Sequence, residues 1–143
     1  MSPYRKCDVL LVEDDPYDLD LTVRAIRRSH KAAKIHTVRD GEEASAYLLD
    51  HHEAELPKVV FLDLKLPKMD GIDVLRRVRA AERTRSLPVV VLTSSDQQSD
   101  IDLCYELGAN SYVIKPVESS RFAAAVAELD RYWLSLNEPP NSM

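Results

Sequence analysis

Four short runs of consecutive apolar residues do most to constrain how this chain can fold. They lie at 9–12, 59–62, 89–92 and 112–114. A short run without polar alternation is typical of a strand that is covered on both faces, as in a parallel sheet between two layers of helices. A fifth, weaker strand is predicted over 34–38.

Segments with apolar residues at helical spacing separate the predicted strands. They are marked by Leu19, Val23 and Ile26, by Ala44, Tyr47 and Leu48, by Ile72, Leu75 and Val78, and by Ile101, Cys104 and Leu107. Asp70 suits a helix cap and Gly108 a helix end. The alternation predicts an α/β fold, a doubly wound five-stranded parallel sheet with five helices. We expect one domain over 1–143, with a core at about 6–136, a short polar tail and no output domain.

Composition and charge argue against several functional classes. The formal net charge is −5 and the 19 basic residues are scattered, which disfavours direct nucleic-acid binding. No apolar run approaches the roughly 20 residues that span a bilayer, and aspartates come too early for a secretory signal. We therefore expect no membrane association and a cytoplasmic location. Cys7 and Cys104 are predicted to be buried thiols, and the histidines to be surface or loop residues: His30, His36, His51 and His52.

Polar side chains follow the predicted strands, where each strand ends. They are Glu13, Asp14, Asp63, Thr93 and Lys115. Ligands of an open parallel sheet bind beyond the carboxyl ends of its strands, so these side chains should converge. Clustered carboxylates repel one another unless a cation lies among them, and Mg²⁺ suits such oxygen ligands. Asp63 could then accept a phosphoryl group, with Lys115 and Thr93 binding its oxygens.

Each of these residues also has an ordinary interpretation when taken alone. Asp63 could be a loop or capping residue, and 13–15 could cap the helix that begins near Pro16. Thr93 could belong to a capping loop, and Lys115 could be an exposed loop residue. Their occurrence at the same end of the sheet, in consistent order, favours the functional interpretation.

Four motifs carry a resemblance to a known family. LVEDD, VVFLDLKLPKMDG, PVVVLTSS and GANSYVIKP resemble the receiver domain of response regulators, and the likeness runs from about Lys6 to Trp133. The resemblance implies a flavodoxin-like fold with strand order 2-1-3-4-5. It also implies that Glu13 and Asp14 are the acidic pair that holds Mg²⁺, with the backbone carbonyl of Lys65 as a further metal ligand. Asp63 would be the phosphoacceptor and Lys115 the partner of the phosphoryl group. Thr93 and Tyr112 would be switch residues, and the Lys115–Pro116 bond would be cis. Lys65 and Ser95 depart from the commonest patterns at their positions.

The resemblance further implies partners and a mode of action. The donor would be a phosphohistidine on a sensor histidine kinase, and the chain would catalyse its own phosphorylation without being a conventional enzyme. Phosphorylation would draw in Thr93, let Tyr112 turn inward and change the surface of the fourth helix, fifth strand and fifth helix. The ending LDRYWLSLNEPP is similar to that of small response regulators that partner phytochrome-type kinases and commonly dimerise.

The last helix carries two apolar stripes. Phe122, Val126, Leu129 and Trp133 should pack on the sheet, and a second stripe holds Ala125, Leu129, Tyr132 and Leu136. The second stripe could widen the core face or form a self-association surface, and we favour a homodimer. The predicted interface comprises Phe122, Ala125, Leu129, Tyr132, Trp133 and Leu136.

Particular residues argue against three rival functions. A phosphoryl-transfer hydrolase that uses an aspartyl phosphate would carry a second aspartate where this chain has Lys65. A receiver that no longer accepts phosphate is disfavoured by the intact acidic, hydroxyl and lysine positions. A nucleotide-binding fold would need a glycine-rich turn after the first strand, and this chain has none there.

Overall fold

The five strands form one parallel sheet in the order β2-β1-β3-β4-β5. They are β1 (Val9–Val12), β2 (Ile35–Val38), β3 (Val59–Leu62), β4 (Val89–Thr93) and β5 (Ser111–Ile114). Every residue of β1, β3 and β4 is buried, because helices cover both faces at the centre of the sheet. The edge strands β2 and β5 are partly exposed, which explains the weaker apolar pattern over 34–38. The predicted fold class and strand order are confirmed.

Five helices alternate with the strands, as predicted. They are α1 (Pro16–Ser29), α2 (Gly41–Ser45), α3 (Gly71–Ala80), α4 (Gln98–Glu106) and α5 (Ser119–Asp130). Two of them continue as π-helical turns, α2 through Ala46–Asp50 and α5 through Arg131–Leu136. In the turn after α5, Trp133 is the buried residue.

Some of the acidic residues are helix caps and therefore have a structural role. Asp15 caps α1, accepting hydrogen bonds from the amides of Tyr17 at 2.8 Å and Asp18 at 3.3 Å. Asp70 caps α3 as predicted, and Gly108 ends α4 with a φ of 98°. Because Asp15 fills the capping role at α1, the carboxylates of Glu13 and Asp14 are not needed there.

The core consists of two clusters, one on each face of the sheet, because successive side chains of a strand point to opposite faces. Leu10 packs with residues of α2, α3 and α4, whereas Val9 packs with residues of α1 and α5. Both cysteines are buried free thiols, as predicted. Phe122 and Trp133 belong to the cluster beside α1, so they are core residues of the chain itself.

The computed structural model describes residues 7–50 and 56–140. His51 and His52, predicted to be surface or loop residues, lie outside them, as do Lys6 and the last three residues of the predicted tail. Among the described residues no peptide bond is cis, so the expected cis Lys115–Pro116 bond is wrong; trans is the intrinsically preferred isomer. No helix in the described part of the chain is long and apolar enough to cross a bilayer.

Candidate functional site

The sheet brings the predicted site residues together at one edge. Val12 and Leu62 are partners in the pairing of β1 with β3, so Glu13 and Asp63 leave the sheet side by side. The Asp63 amide donates to the Val12 carbonyl at 3.0 Å. Likewise the Lys115 amide donates to the carbonyl of Thr93 at 2.7 Å. Main-chain hydrogen bonds of neighbouring strands therefore fix where each functional side chain starts.

Lys115 lies at the centre of the site, with a side chain that is only 7% exposed. Its Nζ donates to Glu13 Oε1, and to Asp63 Oδ2 and Asp18 Oδ2 at 3.0 Å each. An ammonium has three N–H donors, and here each one has a carboxylate partner. The interpretation of Lys115 as an exposed loop residue is therefore excluded.

Asp18 is a site residue that the sequence analysis missed. It lies in the first turn of α1, where acidic residues are common because they favour the positive end of the helix dipole. The one available signal was its spacing, because Asp18 lies a single helical turn beyond the acidic segment 13–15. That spacing does not show how α1 is rotated about its axis, so it does not predict that Asp18 faces Lys115 at the end of β5.

Three carboxylates form a cluster beside Lys115. Glu13, Asp14 and Asp63 each place a carboxylate oxygen so that all three atoms lie within 4.8 Å of one another. Within 7–50 and 56–140, no other group of three acidic, histidine or cysteine side chains is this close. A set made only of oxygen atoms suits a hard divalent cation. The Lys65 amide donates to Asp63 Oδ1 at 3.3 Å, so its backbone runs beside the cluster; ligation by its carbonyl stays a prediction.

Burial and the neighbouring charges act in opposition on these groups. Burial alone would raise the pKa of Asp63, but the charge of Lys115 and hydrogen bonds from Thr93 and Lys115 hold that pKa below its usual value. Burial raises the pKa of Glu13 to about 7, against the hydrogen bond from Lys115. The pKa of Lys115 is raised despite burial, because Glu13 and Asp63 stabilise the ammonium. Asp63 is therefore a buried carboxylate whose ionised form is stabilised by the Lys115 ammonium.

Ser95 connects the two predicted switch residues. Its amide donates to Thr93 Oγ1 at 3.4 Å, and its carbonyl accepts from the Tyr112 hydroxyl at 2.9 Å. Its own hydroxyl donates to Asp100 of α4 at 2.6 Å. In the sequence, Ser95 stands out only as a departure from the commonest pattern at its position. Tyr112 is partly buried and packs against the core cluster that includes Cys104 and Val91; its change of position on phosphorylation stays a prediction.

The fold and the site together define a class of protein. An ionised aspartate, a lysine, a buried hydroxyl and an oxygen-only cation cluster meet at the carboxyl edge of an open α/β sheet. These are the groups that a carboxylate needs in order to accept a phosphoryl group.

Comparison with known proteins gives the same class. The family model of the response regulator receiver domain matches residues 9–127, which is most of the chain. The chain therefore belongs to the response regulator receiver domain family of two-component signalling systems.

Three relatives illustrate the similarity. A protein of Methanothrix harundinacea described as "Probable methanogenesis regulatory protein FilR2" is 41% identical over 134 residues, covering 92% of this chain and 86% of the relative. Response regulator Rcp1 of Synechocystis sp. is 34% identical and covers 88% of both chains. The structure of its Mn²⁺-bound form matches with a TM-score of 0.87 at 31% identity, covering 97% of this chain and 100% of that one. The phosphorylated cyanobacterial phytochrome response regulator RcpA matches with a TM-score of 0.88 at 36% identity, covering 96% and 99%.

Proposed function

We propose that this chain accepts a phosphoryl group on Asp63 from a phosphohistidine of a sensor histidine kinase. An Asp63 oxygen forms a bond to phosphorus while the bond from phosphorus to the kinase imidazole breaks, and the electron pair of that bond returns to the imidazole nitrogen. The observation that carries the proposal is the Lys115 ammonium 3.0 Å from an ionised Asp63 carboxylate. The chain would catalyse its own phosphorylation in this way without being a conventional enzyme.

A divalent cation, proposed here to be Mg²⁺, completes the site. Glu13, Asp14 and Asp63 would hold it, because their oxygens are already clustered and none of them is a helix cap. The bound ion would supply positive charge beside the phosphoryl oxygens. The existence of a Mn²⁺-bound form of Rcp1 supports a divalent cation in this family.

The switching surface is proposed to respond through Ser95. The Thr93 hydroxyl would turn to donate to a phosphoryl oxygen and would give up its contact with the Ser95 amide. Because the Ser95 carbonyl holds the Tyr112 hydroxyl and the Ser95 side chain holds Asp100, movement of this one loop residue reaches both β5 and α4. The changed surface would then be that of α4, β5 and α5.

We expect Asp63→Asn to abolish phosphoryl uptake, because the amide is neutral and a poor nucleophile. The measurement is a mass increase of one phosphoryl group after incubation with acetyl phosphate and Mg²⁺. Asp96→Asn is the matched control, since Asp96 is exposed on the loop after β4, and it should behave as the wild type. Uptake should also stop in excess chelator. Equal uptake by Asp63→Asn and the wild type would contradict the proposal.

A phytochrome-type kinase is the proposed donor. Support comes from RcpA, a phytochrome response regulator that matches over nearly the whole chain. A kinase makes phosphohistidine from ATP inside the cell, so the proposal includes a cytoplasmic location. Transfer of label from a panel of phosphorylated kinases, compared by initial rate, tests the choice of donor.

A homodimer through the last helix is also proposed, on a smaller surface than the sequence indicated. Phe122 and Trp133 are buried in the core, whereas Tyr132 is 49% exposed and Leu136 is 61% exposed. Ala125 and Leu129, which are half-buried, help to line a groove of about 540 Å³ between β5 and α5. The exposed pair beside this groove suits a twofold contact with a second copy.

We expect Leu136→Asp to weaken this dimer at least about tenfold in Kd, because the contact would bury an unpaired carboxylate. Light scattering after size-exclusion chromatography, over a range of protein concentrations, measures the change. Tyr17→Asp, at the opposite end of the sheet and 63% exposed, is the control. If the dimer Kd of Leu136→Asp equals that of Tyr17→Asp, this surface is not the interface.

A further inference from the structure

Lys115 has one carboxylate partner that stands outside the metal cluster. Asp18 Oδ2 lies 3.0 Å from Lys115 Nζ, and the Asp18 side chain is 26% exposed. The clustered oxygens come from Glu13, Asp14 and Asp63 and do not include Asp18. The contacts of the ammonium are thus of two kinds: two carboxylates shared with the cluster, and one that serves Lys115 alone.

The position of Asp18 is fixed by its helix. Its amide donates to the capping carboxylate of Asp15 at 3.3 Å, and its carbonyl accepts from the buried Thr22 hydroxyl at 2.7 Å. Lys115, by contrast, lies just beyond β5 and carries its ammonium on a flexible four-carbon stem. The rigid partner can therefore set the position of the flexible one.

The arrangement has a consequence for the reacting state. A cation or a phosphoryl group at the cluster would engage the Glu13 and Asp63 carboxylates, which are two of the three partners of Lys115. The contact with Asp18 is the one that these groups do not compete for. Preorganised charge at a reacting centre is effective only while its position is held.

We propose that Asp18 is a positioning residue, which holds the Lys115 ammonium beside Asp63 while the phosphoryl group arrives. The proposal rests on phosphoryl acceptance at Asp63. Asp18 itself touches neither phosphorus nor the cation cluster, and it acts through Lys115.

The first test is the rate of phosphorylation by acetyl phosphate at saturating Mg²⁺. Asp18→Ala is expected to lower the initial rate about tenfold, because the ammonium loses its fixed partner. Asp20→Ala is the matched control: it removes the same charge from the same helix, where Asp20 pairs with Arg24 at the surface, and it should stay within about twofold of the wild type. Asp18→Glu should restore most of the rate, since the carboxylate is kept.

The second test observes Lys115 directly, without metal or donor. In protein with ¹⁵N-labelled lysine, the Lys115 ammonium should give a signal protected from exchange with water in the wild type and in Asp20→Ala. Asp18→Ala should lose that protection. A slower rate together with lost protection supports the proposal, and either one alone, or neither, overturns it. Asp18→Asn, which keeps an acceptor oxygen, takes the place of Asp18→Ala if the latter does not fold.

The two tests separate this inference from the proposed function. If the wild type takes up no phosphoryl group, acceptance at Asp63 fails and the positioning role fails with it. The ammonium signal then still reports whether Asp18 holds Lys115. If the wild type is phosphorylated and Asp18→Ala matches it, only the inference about Asp18 fails.

Discussion

Replacing Asp130 by asparagine is expected to remove a large pH dependence from the stability of this protein. Between about pH 4 and about pH 8 the wild type should lose up to about 4 kcal/mol relative to Asp130→Asn. The figure follows from burial, which raises the pKa of Asp130 from its usual 3.8 to about 7. Asparagine resembles the protonated carboxyl in shape and cannot ionise.

The structural cause is the burial of the Asp130 carboxyl group without a hydrogen-bond partner in the described part of the chain. Asp130 is 0% exposed at the end of α5, on the inward side with Phe122 and Val126. Neither of its oxygens has a hydrogen-bond partner among the described residues. A buried charge without a partner is costly, so the folded chain retains the proton to higher pH than the unfolded chain does.

The sign of the effect follows from proton linkage. Well below the unfolded pKa of 3.8 both states are protonated and Asp130 brings no penalty. As the pH rises toward 7, the unfolded chain releases the proton while the folded chain keeps it, so the free energy of unfolding falls. Above about pH 7 both states are ionised and the loss stays constant.

Urea denaturation at several pH values measures the difference between the two proteins. Comparison with Asp130→Asn cancels the other titrating groups, among them Glu13. Asp102→Asn, an exposed position on α4, is the control and should follow the wild-type curve. Parallel curves for the wild type and Asp130→Asn would show that the carboxylate is solvated or paired in solution.

Asp130 also shows where helical periodicity reaches its limit. The apolar pattern predicts Leu129, rather than Asp130, on the inward stripe between Val126 and Trp133, because spacings of three and four residues both fit a helix. In the structure the inward side chains follow a spacing of four to Asp130. Trp133 comes three residues after Asp130, a spacing that an ordinary helix face also allows. It belongs to the core cluster with Phe122 and Val126.

The strands and the main site were predictable for a physical reason. Both depend on backbone order alone: an apolar run makes a buried strand, and the residue after it must lie at the carboxyl edge of the sheet. Glu13, Asp63 and Lys115 could therefore be placed without side-chain geometry. Asp18 could not, because its contact with Lys115 spans 97 residues and depends on the rotation of α1 against β5. The contacts of Ser95 could not be predicted either, because two of them use its main chain and one depends on the rotamer of its side chain.

The second large effect is expected from Gly71→Ala, which should displace the phosphoacceptor itself. A methyl group at Gly71 would lie 2.2 Å from the Asp63 carbonyl oxygen and 2.7 Å from Leu64 Cα. Both are backbone atoms, so no side-chain rotation can relieve the overlap. The Gly71 amide also donates to the Leu64 carbonyl at 2.8 Å, which holds the start of α3 against the end of β3.

In Gly71→Ala, either the hydrogen bond between the residue 71 amide and the Leu64 carbonyl breaks, or the backbone at Asp63 moves away from Lys115 and Glu13. We expect a loss of stability of about 3 kcal/mol and a fall in phosphorylation rate of about a hundredfold, since a shift of about 1 Å at a reacting group has an effect of that size. Urea denaturation and uptake from acetyl phosphate measure the two effects separately.

Gly108→Ala distinguishes a displaced site from a weakened fold. Gly108 has a φ of 98°, and the nearest atoms to an added methyl group would belong to the flexible side chain of Arg79, so alanine there strains the end of α4 by about 1–2 kcal/mol. Asp63 does not touch that turn, and folded Gly108→Ala should be phosphorylated at the wild-type rate. If both variants, measured where they are fully folded, keep that rate, the close approach of Gly71 does not fix Asp63. If only Gly71→Ala is slow, glycine is required at the start of α3 because any side chain there would overlap the backbone of the phosphoacceptor Asp63.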